Sequence, residues 1–507
     1  MSRLRPLGPD LLNLAAGLAL PLAFAPAKLY FLAWLALIPL LLATDEPRPG
    51  RRFRRGLAFG LGLFGAGLHW LLPTIHTFGH MPLALALPTW ALLVLYCALY
   101  PAAFALLGGW LGGSAALRYA LALPVLWAGL ELLRGWAFTG FPWLALGVSQ
   151  VPGPLGGWLP VLGSPGAGLV VAAVNGLVLL AGRALLRSQA APAGAFGLAA
   201  AGLVAAGAGL GTVGWTRADG PAVDAALVQG NVPQEAKWDR GRRATILARY
   251  ARLTREHLGA DLVVWPETAV PLFADRIRGY LDRLGGEARA RGTTLLLGVP
   301  EREWVDGRKQ FYNTVLALGA HHGRYRKRHL VPFGEYVPLR SILFFAEKFV
   351  PGDGTFVPGR NAAPLRLDGY SAGLSICYED AFPREVAATV HAGATVLVNV
   401  TNDAWFGRSS GPDQHAQIAR ARAREMGRPM LRVANTGLTF AADRFGRVLA
   451  AIPPDRPGVA RVRVRPRQGV TPYQVLAHGW LAGLVAALLA LLAWRLWRGP
   501  LPARLRR

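Results

Sequence analysis

Apolar residues concentrate before residue 217 and again after residue 474, whereas the stretch between them alternates short apolar runs with polar ones. A bilayer core about 30 Å thick is crossed by about 20 apolar residues in a helix. That length picks out seven spans, at roughly 9–26, 29–44, 56–76, 82–112, 119–138, 163–186 and 194–215, and an eighth at about 475–497. The second is short for a full crossing, and the fourth is long enough to tilt or to break at Pro88 or Pro101. Residues 139–162, with Pro142, Pro152, Pro154 and Pro160, read as a loop near the interface, with Trp143 and Trp158 in its aromatic belt. Gly56–Gly60 and Gly207–Gly211 have the small-xxx-small spacing that lets helices pack closely.

The middle follows a different period. Strands are expected at 225–232, 261–267, 293–300, 370–380, 394–403 and 429–437, and amphipathic helices at 242–258, 279–292, 383–391 and 413–427. Strands alternating with helices predict a layered α/β fold, whose functional residues sit just past strand C-terminal ends. The chain therefore divides into an N-terminal transmembrane domain at 1–217, an extramembrane domain at 218–468, and a C-terminal span with a basic tail at 469–507.

Composition agrees with this division: 53% of the 507 residues are hydrophobic. The net charge of +26 raises nucleic acid as a partner. Much of it, however, lies in arginines flanking the spans, such as Arg51, Arg52, Arg54, Arg55, Arg495 and Arg498, so nucleic acid is not expected. Arg3, Arg5, the cluster at 48–55, Arg118, Arg183, Arg187 and the C-terminal arginines fall on one side of an eight-span topology. That side is read as cytoplasmic, with both termini on it and the middle domain facing outward. The N-terminal apolar stretch does not read as a cleavable signal, being long and followed by further spans.

Three polar residues stand at strand ends or in adjoining loops of the middle domain. Glu267 ends VVWPE, Lys327 lies in YRKRHLVPFGEYVP, and Cys377 in LSICYED. Singly each has a structural explanation: a solvated loop acid, a charged edge beside Arg324, Arg326 and Arg328, and a small buried hydrophobe. Together they form a chemical set. A thiol is mostly protonated at neutral pH and needs a base or a cation to act as a nucleophile. A carboxylate can take its proton, and an ammonium can stabilise thiolate and oxyanion. The second cysteine, Cys97, lies in an apolar run, and no residue spacing marks a metal site. Glu131 and Arg134 share one face of a span, where ionisable residues suggest a functional role and a structural ion pair is the equal alternative. His321 and His322 read as a solvated hairpin edge.

Glu, Lys and Cys in that order, in WPET, KRHLVPFGEYVP and SICYED, resemble the carbon–nitrogen hydrolase (nitrilase) superfamily. With the flanking spans, and with GFPW (140–143), QGNVPQEAKW (229–238), PFGEYVP (332–338), NDAWFG (402–407) and RVANTG (432–437), the whole chain resembles the apolipoprotein N-acyltransferases. The resemblance implies an α-β-β-α sandwich carried by a polytopic helical membrane domain. It implies Glu267 as general base, Lys327 as oxyanion stabiliser and Cys377 as nucleophile, with Glu335 positioning the lysine or the base. Tyr378 and Glu379 are expected to shape the nucleophile's pocket, and Trp238 to contact substrate.

The implied reaction is ping-pong. Cys377 takes an acyl chain from the sn-1 position of a phospholipid, typically phosphatidylethanolamine, and the thioester passes it to the α-amine of a diacylglyceryl-cysteine at a lipoprotein N-terminus. No metal or cofactor is expected. The implied location is the bacterial inner membrane, with the catalytic domain in the periplasm. The apolar segment 338–351, with Leu339, Ile342, Leu343, Phe344, Phe345 and Phe349, is read as a lid that dips into lipid beside the site, with a buried core helix as the alternative that apolar periodicity does not separate from it. Two rivals remain at this stage: a membrane-anchored amidase or nitrile hydrolase in which water resolves the thioester, and a transporter or scaffold with an inactive domain.

Overall fold

A computed structural model describes residues 7–237, 239–337, 356–476 and 479–497. The chain forms two compact units, one of Met1–His69, Pro88–Val213 and Val475–Arg507, the other of Trp70–Leu87 and Gly214–Gln474.

The first unit is helical. Among the described residues, four helices are long and apolar enough to cross a membrane: Leu83–Gly108, Ala115–Arg134, Pro154–Leu186 and Ala190–Leu210. A fifth is reached if Pro49–Gly67 and Leu71–Phe78, bent by 63°, make one broken span. The remaining apolar helices among the described residues are shorter or interrupted. Gly8–Ala19 gives way to a 3₁₀ turn at Leu20–Ala23, the next stretch is split between Tyr30–Trp34 and Ile38–Ala43, and the last helix covers Gly479–Trp497, with its apolar stretch at Gly479–Leu491. Prolines at the first turns of Leu20–Ala23 and Ile38–Ala43 start new turns rather than extend old ones. Leu83–Gly108 instead runs through Pro88 and Pro101 unbroken.

The glycine spacing is packing. A Cβ on Gly56 would lie 2.3 Å from the Pro101 carbonyl oxygen, and one on Gly60 2.6 Å from the Ala98 Cα, so the helix Pro49–Gly67 meets Leu83–Gly108 backbone to backbone. Trp143 is buried at 1% exposure instead of standing in an interfacial belt. Arg134 explains why: its Nη1 donates to the carbonyls of Phe141 and Trp143 at 2.6 and 2.7 Å, folding that loop inward. Glu131 accepts from the Leu146 N–H at 2.8 Å and stands 3.9 Å from the Arg134 guanidinium. The pair thus serves mainly to staple the loop.

In the second unit the strands run, in chain order, β1 Arg217–Ala218, β2 Val223–Gln229, β3 Leu262–Val264, β4 Thr294–Val305, β5 Arg308–Gly319, β6 Gly323–Arg326, β7 Leu365–Leu367, β8 Tyr370–Ile376, β9 Val396–Thr401, β10 Met430–Ala434, β11 Thr439–Ala442, β12 Val448–Ile452, β13 Gly458–Val464 and β14 Arg467–Gln468. One six-stranded sheet has the order β13-β2-β3-β4-β5-β6 and the other β12-β11-β10-β9-β8-β7, with β1 and β14 paired apart. Each sheet has three parallel strands at its centre, β2-β3-β4 and β8-β9-β10, and antiparallel strands outside them.

Burial explains the layering. Residues such as Leu227, Val264, Leu296 and Val315 from one sheet and Leu374, Val398 and Val433 from the other share a core between the sheets. The opposite face of the first sheet packs on helices Arg243–Arg255 and Arg278–Arg289 through Ile246, Tyr250, Leu281 and Leu284. That of the second packs on Pro383–His391 and Gly411–Met426 through Val386, Val390, Ala419 and Ala423. Strands apolar on both faces are what two covered sheets demand. The result is the expected four-layer α-β-β-α sandwich.

Candidate active site

Cys377 follows β8 directly and opens a 3₁₀ turn, Cys377–Ala381, with its own φ at +51°. A non-glycine residue there is strained, and such strain is kept where surrounding contacts hold it. Here the Cys377 carbonyl accepts from Asn399 Nδ2 at 3.3 Å and lies 3.2 Å from His415 Nε2. His415 is fully enclosed, with Asp403 3.0 Å from Nδ1 and Asp380 3.0 Å from Nε2. Both ring nitrogens face acceptors, which is the pattern of an imidazolium. Arg432 closes the cluster, reaching Asp380, Asp403 and Asn399.

Glu267 comes from the loop after β3. Its position depends on Gly298 in β4, where a Cβ would lie 2.3 Å from the Pro266 carbonyl and 2.7 Å from the Glu267 Cα. Asn313 Nδ2 donates to Oε1 at 2.7 Å, and the Asn402 backbone N–H to Oε2 at 3.0 Å. Lys327 leaves β6 with its ammonium buried, 2.9 Å from Glu335 and 3.6 Å from Glu267. Asn313 also donates to Glu335 at 3.0 Å, so one amide and one ammonium hold both carboxylates.

The electrostatics follow from this crowding. Burial pushes the Cys377 thiol well above its ordinary value, as do the Glu267 and Asp403 carboxylates, against the pull of Lys327 and a bond from Thr401. Burial disfavours the Lys327 ammonium, yet Glu335, Glu267 and Cys377 outweigh it and hold the charge firmly. The arrangement can therefore keep a neutral thiol beside a carboxylate acceptor and a permanent cation.

Glu379 is a buried tie between the sheets rather than a lining group. One oxygen accepts from the Arg328 and His329 N–H groups at 2.6 and 3.1 Å, the other from the Ile376 N–H at 2.6 Å and the Tyr325 hydroxyl at 2.9 Å. It thereby joins the segment carrying Lys327 to the turn carrying Cys377. Burial raises its carboxyl against the pull of those bonds. Tyr378 is buried edge-on to Phe382, with ring centroids 5.0 Å apart. Trp238 and the segment with Leu339, Ile342, Leu343, Phe344, Phe345 and Phe349 lie outside the described residues.

The residues that sequence reasoning left without roles are Asn313, Asn399, Asn402, Asp403, His415, Arg432 and Lys237. Asn402 and Asp403 open NDAWFG, Arg432 opens RVANTG, and Lys237 lies in QGNVPQEAKW. Those segments carried the family resemblance, and polar side chains within them were the available signal. Asn313, Asn399 and His415 lie in none of these segments and gave none.

Two families match the chain. Residues 16–177 match the apolipoprotein N-acyltransferase N-terminal domain, and residues 224–470 the carbon–nitrogen hydrolase family. A protein of Methylococcus capsulatus named apolipoprotein N-acyltransferase is 40% identical over 490 residues, 95% of each chain. One of the same name from Photobacterium profundum is 38% identical, over 93% of this chain and 92% of the other. Among solved structures, a nitrilase-superfamily protein of Saccharomyces cerevisiae aligns with 49% of this chain and 92% of its own, at 20% identity and a TM-score of 0.37.

Proposed function

The chain belongs to the apolipoprotein N-acyltransferase family, and from that premise we propose that it transfers an acyl chain from the sn-1 position of a phospholipid, through a Cys377 thioester, to the α-amine of an N-terminal diacylglyceryl-cysteine. Phosphatidylethanolamine is the proposed donor. The observation that carries the reading is the convergence of Glu267, Lys327 and Cys377 on one buried site in a chain of this family.

In the first step Glu267 takes the Cys377 proton as the sulfur attacks the ester carbonyl. A thiol held well above its ordinary pKa makes proton removal and attack concerted demands on the same base. Lys327 faces the negative charge that develops on the carbonyl oxygen. The C–O bond breaks, and Glu267 returns the proton to the departing lysophospholipid oxygen. In the second step the amine attacks the thioester, Glu267 takes a proton from the amine nitrogen, and the C–S bond breaks. The released thiolate recovers a proton from Glu267, closing the cycle.

The apolar helices on either side of the catalytic unit fit lipid substrates. Withdrawing an acyl chain into water costs about 0.8 kcal/mol per methylene, so a domain tethered at the lipid surface avoids that cost. We place the protein in the bacterial inner membrane as an eight-span chain with cytoplasmic termini. In that arrangement residues 1–217 and 469–507 are membrane segments and 218–468 form the periplasmic catalytic domain. Glu335 is assigned to positioning Lys327, with Tyr378, Glu379 and Trp238 supporting the site.

Mass spectrometry after incubation with phospholipid alone should find an acyl adduct on Cys377, and adding a diacylglyceryl peptide should discharge it as an amide. Discharge at the same rate without peptide would make the protein a hydrolase. Acceptor acylation by Cys377→Ala would remove Cys377 as nucleophile.

A further inference from the structure

Lys237 ends the short helix Gln234–Lys237 and is 1% exposed. Among the described residues its ammonium makes one hydrogen bond, 3.4 Å from Nζ to the backbone oxygen of Glu267. A buried ammonium with one long bond is expensive, and an uncharged side chain of similar length would fill the same space without that cost. Packing therefore does not account for a lysine here.

Charge balance does. Glu267 and Glu335 compete for Lys327, which stands 2.9 Å from Glu335 and 3.6 Å from Glu267. Two carboxylates against one cation leave the site one negative charge in excess, with Glu267 holding the weaker claim. Lys237 supplies the missing positive charge on Glu267's own backbone. We propose that Lys237 is a positioning residue that acts through Glu267, completing a neutral set of two carboxylates and two ammoniums and so leaving Glu267 open to the Cys377 proton. This rests on Glu267 being the base.

The surroundings fit. Burial draws the Lys237 ammonium down to about 8, opposed by the Glu267 charge, so it remains protonated at neutral pH. Lys327 and Glu335 are the other charged groups at Glu267, and Asp403, next to Asn402, is engaged by Arg432 and His415. Glu235 and Asp239 flank Lys237 on its own segment. The neighbouring polar groups Gln234 and Asn402 bond each other at 3.0 Å and carry no charge.

The test is the pH profile of thioester formation by the full-length enzyme in phospholipid–detergent micelles. Lys237→Met should move the acidic limb upward by about one pH unit, a tenfold loss below the limb that is recovered to about wild-type rate near pH 8.5. Lys237→Arg, which keeps the charge, should retain the wild-type limb. Should the methionine variant fail to insert, Lys237→Gln replaces it with the same expectation. A loss equal at every pH, or a limb that moves as far in the arginine variant, overturns the proposal. Glu267→Gln separates the underlying reading: it should be slow at all pH, and a variant that keeps rate and limb shows that Glu267 is not the base.

Discussion

Asn313→Leu removes an amide that donates to both carboxylates of the site while keeping the side chain's shape. The Nδ2 group reaches Glu267 at 2.7 Å and Glu335 at 3.0 Å, whereas the buried Oδ1 has no partner among the described residues. The substitution therefore takes away two donor bonds and strands no donor. A hydrogen bond to a charged group contributes about 1.5–3 kcal/mol. If only the bond to Glu267 bears on catalysis, kcat/KM should fall roughly 10- to 150-fold. Lys327 should stay in place, since its N–H bonds the Asn313 backbone carbonyl at 2.8 Å, which leucine retains. Asn313→Asp puts a third carboxylate among two and should lose more. The assay is single-turnover acylation of Cys377 by a fluorescent phospholipid, with thermal unfolding as the control for integrity. A folded Asn313→Leu enzyme within about threefold of wild type would refute the reasoning, because Glu267 would then be oriented and charged without the amide.

Three further outcomes follow from the geometry. Burial and Arg432 oppose a charge on His415, but Asp380 and Asp403 prevail and raise it to about 9, above the ordinary 6.5. The stabilisation by its charge is then fully present below about pH 6.5 and lost as pH rises through 9, on the order of 3 kcal/mol; melting curves of wild type and His415→Gln should converge above pH 9, and a gap that stays constant there would contradict this. Glu379→Ala strands four buried donors, of the Arg328, His329 and Ile376 N–H groups and the Tyr325 hydroxyl, and should cost about 3–5 kcal/mol of stability, read by denaturant titration. Gly298→Ala forces a methyl against the Pro266 carbonyl, and should slow acylation at least tenfold while costing about 1–3 kcal/mol, read in the same two assays.

Glu267 and Cys377 were legible because each ends or follows an apolar strand, where a lone polar residue stands out, whereas Lys327, set among Arg324, Arg326 and Arg328, was legible only through the segment KRHLVPFGEYVP. The residues that orient them were not. Asn313 sits inside β5, a strand whose alternation looks ordinary, and its partners are 46 and 22 positions away. His415 lies on a helix that reads as amphipathic, and only the packing of that helix brings it under the Cys377 carbonyl. Glu379 reads from the sequence as a pocket residue because it stands two positions after Cys377, but its bonds run to residues 328 and 329, across a separation that sequence spacing does not report. Hydropathy likewise located the apolar stretches without deciding their continuity: it marked residues 56–76 as one span, where the helix bends by 63°. Trp143 shows the same limit, since an aromatic beside prolines suits an interface until a buried arginine folds it inward.

The candidate site draws on both sheets, and that division explains why so much buried polarity surrounds Glu267, Lys327 and Cys377. Glu267 and Lys327 come from β3 and β6 of one sheet, Cys377 and the Asn402 N–H from β8 and β9 of the other. Apolar packing between the sheets sets their spacing but is non-directional. Directional bonds do not slide. The Asn402 N–H to Glu267 and the Arg328 N–H to the Glu379 carboxylate both cross from one sheet to the other. Each fixes a register that the hydrophobic core leaves free. A buried carboxylate is a costly way to gain stability, since it must be fully satisfied to break even. As a way to hold a carboxylate, a cation and a strained cysteine in one geometry, it supplies what apolar contacts lack.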